Sequence, residues 1–428
     1  MKVKAIVIAM GLAALVSTSA FAASVGSVGE SAAVEQIGNG NWAGVKQTAS
    51  SYDQVNVLQN ADGASANVKS SNGGGNVTDI KQIGQGARGA SNLSADVTQQ
   101  QAIGERTTVR QTGHDNSVTV SQTASAFDKD TVKQEGKNAS ATITRNGSSF
   151  NTVNIDQGTN KTAGTSDGAK ATVTQTNTIG NRVDVLQGKD NGIATVTQTG
   201  GGYNGARIEQ TGGHTDGKIE QISEIGDSVS IKQGDFARAQ VHSENGGGNT
   251  TTINQSGAGA PHYAQVTQGN AVNEKTTIMQ TGSAYNTAYV DQFREANDHT
   301  LVIQDGDRNT AAVHQADGRG NTALAVQVGS NNTMDLTQQG AFESTLLAGQ
   351  GGFHNDMKAS QSGTREELAL AQVGNFNGAY ASQDGGYNSA SITQVGNSNL
   401  GVVSQTGLGN SASIAQGGSF NKAVIVQK

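Results

Sequence analysis

Apolar and polar residues alternate along this chain on a beat that restarts every eleven or twelve positions. In Asn388-x-Ala390-x-Ile392-x-Gln394 an amide, a small residue, a branched aliphatic residue and a closing Gln take every second place, and the same series follows at Asn399 and Asn410. Residues of one parity share a face of a strand, so Asn, Ala, Ile and Gln point one way together. The other parity is mixed: Glu35, Lys46, Leu58, Lys69, Lys81, Thr98, Arg110 and Ser121 stand just before the first closing positions, as on a solvated face.

The closing residue is Gln throughout, except at Ser70, Arg145 and Ser243. Two places earlier stands Val, Ile or Leu, except at Ala325, Ala348, Ala359 and Ala381. Four residues separate each Gln from the next Asn, typically with Gly second, as in Val395-Gly396-Asn397-Ser398. Glycine supplies the positive φ of a tight reversal. Each unit is therefore a strand and a turn, and two units make one flattened rung of 22–23 residues with its inward faces opposed.

One rung cannot bury its own faces, whereas stacked rungs pair every backbone N–H and C=O with the rungs on either side. The fold expected is all-β: a two-sheet β-solenoid of about 17 strand-turn-strand rungs with cross-β, amyloid-like spacing. Its inward amides are assigned to stacking ladders. The glutamines are Gln36, Gln47, Gln82, Gln111, Gln157, Gln187, Gln210, Gln233, Gln280, Gln304, Gln327, Gln350, Gln372, Gln383, Gln394, Gln405, Gln416 and Gln427. The asparagines are Asn41, Asn151, Asn204, Asn286, Asn377, Asn388, Asn399, Asn410 and Asn421.

Composition sharpens this picture. Hydrophobic residues make up only 34% and aromatics 4% of 428 residues, with Gly 58, Pro 1 and Cys 0. Such polarity would ordinarily mean disorder. The strict alternation, 15% charge and near absence of proline are instead what strand stacking requires. With no disulfide framework, and too few apolar side chains to offset the ordering entropy, backbone and amide ladders must stabilise the fold. A chain of this kind is expected to order best against an existing rung.

Residues 1–22 read as a secretory signal peptide: Lys2 and Lys4, an apolar run from Ala5 to Val16, and the small-x-small site Ala20-Phe21-Ala22. A short segment, 23–30, and the repeat region, 31–428, follow. The apolar run is too short to span a bilayer comfortably, so an exported chain that is not membrane-embedded is expected. The formal charge of −7 becomes more negative once the leader lysines are removed, which leaves no electrostatic footprint for a specific nucleic-acid ligand.

Departures from the beat carry information. Wider intervals between Gln82 and Gln99 and between Gln157 and Gln175 predict bulging loops at Gly86–Asn92 and Thr159–Asp167. Pro261 falls in a widened turn ahead of a strand at His262–Gln268, where proline is tolerated. Charge clusters at Phe127–Lys137 and Phe293–Arg308, while after Glu367 only Asp384, Lys422 and Lys428 are charged, so the C-terminal rungs are expected to stack most readily. Arg145, the ladder position hardest to bury, is the expected weak point.

The unit Ser-x5-Gln-x-Gly-x2-Asn-x-Ala-x3-Gln resembles the curlin repeat. It stands here as Ser389, Gln394, Gly396, Asn399, Gly401 in the Ala place and Gln405, with the Ala present in Asn377-x-Ala379-x3-Gln383. The resemblance covers nearly all of the chain after the leader. It implies a subunit of curli, the functional amyloid fibres of bacterial biofilms, built as a two-sheet β-solenoid that polymerises end to end outside the cell. It further implies export of the unfolded subunit through an outer-membrane secretion pore with accessory chaperones, nucleation by a minor curlin, and a stacking and seeding role for the inward Gln and Asn. The chain has more repeats than is usual, and only Ala23–Glu30 where curlins often carry a longer Gly-rich export segment.

Other chemistries find little support. Gly246-Gly247-Gly248 is not followed by the Lys-Ser or Lys-Thr of a phosphate loop. The seven His are dispersed and form no His-Glu-x-x-His pair, so neither metal nor cofactor is expected. Asn76 and Asn138 stand in Asn-x-Ser/Thr sequences that turn chemistry explains. Aromatics before the Asn, at Phe150, Tyr203, Tyr285, Phe376, Tyr387 and Phe420, are either rim fillers or a stacked edge for lateral contacts. No nucleophile, base and acid recur together, so no enzyme is expected. Against the fibre subunit stand a minor curlin nucleator and a monomeric surface binder, an adhesin or ice-binding protein. The binder would need a flat repetitive outward face, commonly Thr-x-Thr, and the mixed residues above argue against one. A nucleator or cap should end in charge or bulk, whereas Ala423-x-Ile425-x-Gln427 completes a strand.

Overall fold

The period-two pattern folds as its parity requires. In the strand Ser117–Thr123, Val118, Val120 and Gln122 are buried while Ser117, Thr119, Ser121 and Thr123 face outward, and most strands repeat that alternation. The computed structural model describes residues 19–26, 28–84, 91–158, 166–257 and 261–428. Among them every named strand pairing is parallel and no helix occurs, as in a β-solenoid of two sheets with about 16–17 turns. The chain divides into two units, residues 1–214 and 215–428.

In the first unit, successive strands alternate between two facing sheets. One sheet runs Ser31–Ile37, Gln54–Asn60, Val77–Gly84, Arg106–His114, Lys129–Lys137, Thr152–Gln157, Arg182–Gln187 and Gly205–Gln210. The other runs Ser19–Val25, Trp42–Thr48, Ser65–Ser71, Ser94–Gln100, Ser117–Thr123, Ser140–Asn146, Lys170–Thr176 and Ile193–Thr199. The second unit repeats the plan from Asp216–Ile222 to Lys422–Gln427. Register places like on like: Ala390, Ile392, Gln394 and Gly396 lie beside Ala412, Ile414, Gln416 and Gly418.

Residues 85–90 and 159–165, which hold most of the two expected loops, lie outside the described residues. The flanking strands keep their register on either side of them, Gln82 beside Gln111 and Gln157 beside Gln187. Pro261 stands just ahead of the strand Tyr263–Gly269. Of the expected leader, residues 1–18 lie outside the described residues, while Ser19–Val25 pairs with Trp42–Thr48 and crosses the Ala22–Ala23 junction. Among the described residues no helix is long and apolar enough to cross a membrane.

The turns require glycine for two reasons. Gly396 has φ +126°, and a Cβ there would lie 1.8 Å from the Gly418 carbonyl oxygen of the next rung. The second left-handed position, just before the inward Asn, is held by the aromatics: Phe150, Tyr203, Tyr285, Phe376, Tyr387 and Phe420 all have φ of +54° to +60°. Their rings stay exposed, and some stack between rungs. Phe127 lies on Phe150 at 5.3 Å and His354 on Phe376 at 5.1 Å between centroids. Elsewhere the ring covers a bare glycine, and a Cβ on Gly104 would meet the Phe127 ring at 2.7 Å.

Candidate functional site: the amide ladders

Many of the inward Gln use both of their N–H donors. Gln82 Nε2 donates to Gln111 Oε1 on the next rung at 2.8 Å and to the Ser65 carbonyl of the facing sheet at 2.9 Å. Gln394 does the same toward Gln416 at 2.7 Å and the Gly378 carbonyl at 3.0 Å. The amide therefore ties rung to rung and sheet to sheet, and its oxygen accepts from the rung before. A buried amide left unpaired would cost about 1–3 kcal/mol, so each Gln is stable inside only because the next one is there.

In the first unit one column runs unbroken through Gln36, Gln59, Gln82, Gln111, Gln134, Gln157, Gln187 and Gln210. In the second unit Gln233, Gln255, Gln280, Gln304, Gln327, Gln350, Gln372, Gln394 and Gln416 form another. It faces a column from Gln268 through Gln383 and Gln405 to Gln427. Gln47 is buried in the first unit and donates to the Asp53 carbonyl.

Asparagine forms a second ladder at the rung corners. From Asn286 through Asn309, Asn332, Asn355, Asn377 and Asn399 to Asn421, each Oδ1 accepts the backbone N–H of the next Asn at 3.0–3.1 Å. Nδ2 donates to a turn carbonyl one rung on, Asn377 to Gly396 and Asn399 to Gly418, both at 2.9 Å. Asn151 and Asn204, with Asn181 between them, hold the opposite corner of the first unit, and Asn388 and Asn410 that of the second. Asn41 Oδ1 accepts from Ala64 N, where that ladder stops. Asn116, Asn181, Asn309, Asn332 and Asn355 have the same role and are additions to the sequence assignment; their parity alone marks them.

Parity also marks a set that composition conceals. Asp53, Glu105, Asp128, Asp227, Glu274, Asp298 and Glu366 occupy the corner Asn position six residues before a closing Gln, and all are buried. Some of the charge clustered at Phe127–Lys137 and Phe293–Arg308 is therefore inside. The reason is the repeat itself, since a carboxyl oxygen accepts the next rung's N–H as Asn Oδ1 does: Asn76 N donates to Asp53 at 2.9 Å and Asn321 N to Asp298 at 2.7 Å.

Three of these acids, Asp53, Asp128 and Asp227, face the three broken ladder positions. Ser70 Oγ donates to Asp53 Oδ2, and Ser243 Oγ lies within hydrogen-bond distance of both Glu224, at 3.0 Å, and Asp227, at 2.9 Å. Arg145, the expected weak point, has a fully buried side chain, ion-paired to Asp130 at 2.6 Å and Asp128 at 3.4 Å. Its Nε still donates to Gln175 Oε1 at 2.8 Å, which continues the column in one direction. On the other side Gln122 turns its amide to Glu105 and Asp130.

Burial shifts Glu105, Asp128, Asp130, Glu274 and Glu366 toward the protonated form. Glu105 is pushed up to about 8 by burial and then by Asp128, and Glu274 to about 8 by burial and then by Asp298. Burial raises Glu366 to about 7 and Asp130 to about 6, the latter against the pull of Arg145. Glu295 and Asp298 are both raised, by burial first, and Glu224 and Asp227 likewise. His262 takes an Asn corner place, and burial lowers its pKa. Among the described residues no group of three His, Cys, Asp or Glu could hold a metal ion.

The family model of the curlin associated repeat matches residues 306–340, 363–396 and 388–418. These segments lie within the span of the unbroken corner Asn ladder, Asn286 to Asn421. A search of curated proteins returned no match.

Proposed function

We propose that this curlin-repeat protein is the structural subunit of an extracellular curli-type amyloid fibre of the biofilm matrix, contributing to surface adhesion. It is exported unfolded through the periplasm and extended by templated end-to-end stacking, and its principal partner is itself. A minor curlin nucleator and an outer-membrane pore with accessory chaperones complete the reading.

One observation carries it: the last rungs of the second unit are interchangeable. From Asn377 onward each strand presents Asn, two small or aliphatic residues and Gln to the same kinds of residue 22 positions further on, with no register shift. A rung from another copy would meet the same donors and acceptors as the next rung of this chain. Ordering entropy opposes folding of a lone rung, whereas an existing rung has its inward amides already placed, so growth on a template outruns spontaneous ordering. Such a stacking edge is a liability in a monomer and the working surface of a fibre subunit.

Purified mature chain is expected to show a lag and then form fibres with cross-β spacings, and added fibre fragments are expected to abolish the lag. Thioflavin fluorescence with fibre diffraction reads both. A chain that stays monomeric and soluble for days, seeded or not, would sink the fibre reading.

A further inference from the structure

The outward face is mixed in the first rungs but not throughout. On the strands Ser117–Thr123, Ser140–Asn146, Lys170–Thr176 and Ile193–Thr199, neighbours in one sheet, the last three outward positions of each form a grid, bordered by a first outward column of Ser117, Ser140, Lys170 and Ile193. Its rows are Thr119, Ser121, Thr123; Thr142, Thr144, Asn146; Thr172, Thr174, Thr176; and Thr195, Thr197, Thr199. Only Asn146 lacks a hydroxyl, and every position is exposed or half-buried. The preceding rung, with Asp96 beside Thr119, returns to charge.

Strand propensity favours threonine on any solvated sheet, yet the facing sheet of the same rungs does not follow it. There the outward positions include Lys133, Asp156, Asp184, Arg207 and Glu209. Charge is concentrated on that side and hydroxyls on this one, where the charged outward residue is Lys170 at the border of the grid.

The grid repeats at about 4.7–4.9 Å across strands and about 6.6–6.8 Å along them. Four rows of three span about 200 Å² at these spacings, far below the roughly 800 Å² per partner of a stable protein interface. The grid offers no charge to an ionic partner and no ring for a sugar to stack on. What it matches is an uncharged surface that repeats at its own two spacings and hydrogen-bonds at each point. The prism faces of hexagonal ice present oxygen atoms on a rectangular net close to these lengths.

We infer that this threonine grid is an ice-binding surface, each hydroxyl anchoring a water of the lattice while its methyl group limits the freedom of the water beside it. Contacts that are weak singly add up when they are held in one rigid array. The grid lies within one chain and does not depend on polymerisation.

The test grows ice slowly from a solution of folded full-length mature protein and measures protein in the ice and in the residual liquid. Wild type is expected to be enriched in the ice. Thr144→Lys with Thr174→Lys is expected to drop to the level of albumin, while Thr337→Lys, at an outward threonine of the second unit, should keep full enrichment. Thr174→Tyr, which preserves strand propensity and lifts the lattice off the face, should also lose it, with an unchanged circular dichroism spectrum. Exclusion of wild type from ice, equal enrichment of the grid variants, or retention on crystalline cellulose in place of ice would each overturn the inference.

Discussion

Removing Asp130 while leaving Arg145 in place strands a guanidinium inside the stack. The 2.6 Å ion pair is lost, Asp128 remains at 3.4 Å, and no water reaches a side chain with no exposed surface. Breaking a buried pair in this way costs about 3–5 kcal/mol, so Asp130→Val alone should lower the denaturant midpoint sharply. The triple change Asp128→Asn, Asp130→Val and Arg145→Gln copies the next rung, where Asn151, Val153 and Gln175 stand in register. The new Gln would accept from Gln122 and donate to Gln175, while Gln122 keeps its second bond to Glu105. Replacing a buried ion pair with well-packed groups is often neutral or stabilising by about 1–4 kcal/mol. The triple variant should therefore match or exceed wild type, by guanidinium titration of the folded chain followed by circular dichroism. A triple variant as unstable as Asp130→Val would refute the view that Arg145 is a tolerated interruption of a Gln column.

Stability should also fall as pH rises above neutrality. Glu105, Glu274 and Glu366 sit at about 7–8 in the fold against an ordinary 4.5. The folded chain thus holds protons that the unfolded chain releases, and this contribution, complete below about 4.5, is lost as pH passes through about 7–8. His262 has the opposite sign, its depressed pKa removing stability as pH falls through its ordinary 6.5. Denaturant midpoints should decline from pH 6.5 to 9, and Glu105→Gln, Glu274→Gln and Glu366→Gln together should flatten that slope; a slope unchanged in the variant counts against the buried carboxyls as its source. Gly396→Ala should cost well over about 1 kcal/mol, because alanine is strained at φ +126° and its Cβ meets the Gly418 carbonyl. Gly417→Ala, with nothing within 4 Å of the added Cβ, should be close to neutral in the same titration, and equal effects would remove the steric argument.

Much of the structure was legible before any coordinates. Strand side-chain period is two, so parity alone assigned Asn, Ala, Ile and Gln inward, and the even turn kept that face inward after each reversal. Glycine spacing gave the reversals. The acids at the corner positions were legible by the same parity, but carboxyls are so seldom buried that composition argued for the surface. The outward Thr rows were present in the sequence too, and the two-unit rung already sets every second strand side by side, but the mixed outward residues of the first rungs hid them.

The sequence by itself determined the rung, because alternation and turn chemistry are local and repeat without reference to the rest of the chain. Only the tertiary structure decided what each rung's neighbours do. It set Asp128 and Asp130 against Arg145, gave Ser70 and Ser243 their carboxyl partners, and gathered threonines from four strands into one grid. Those contacts join residues a rung or nearly a rung apart, where the energy of a buried charge or amide depends on what the next layer places against it.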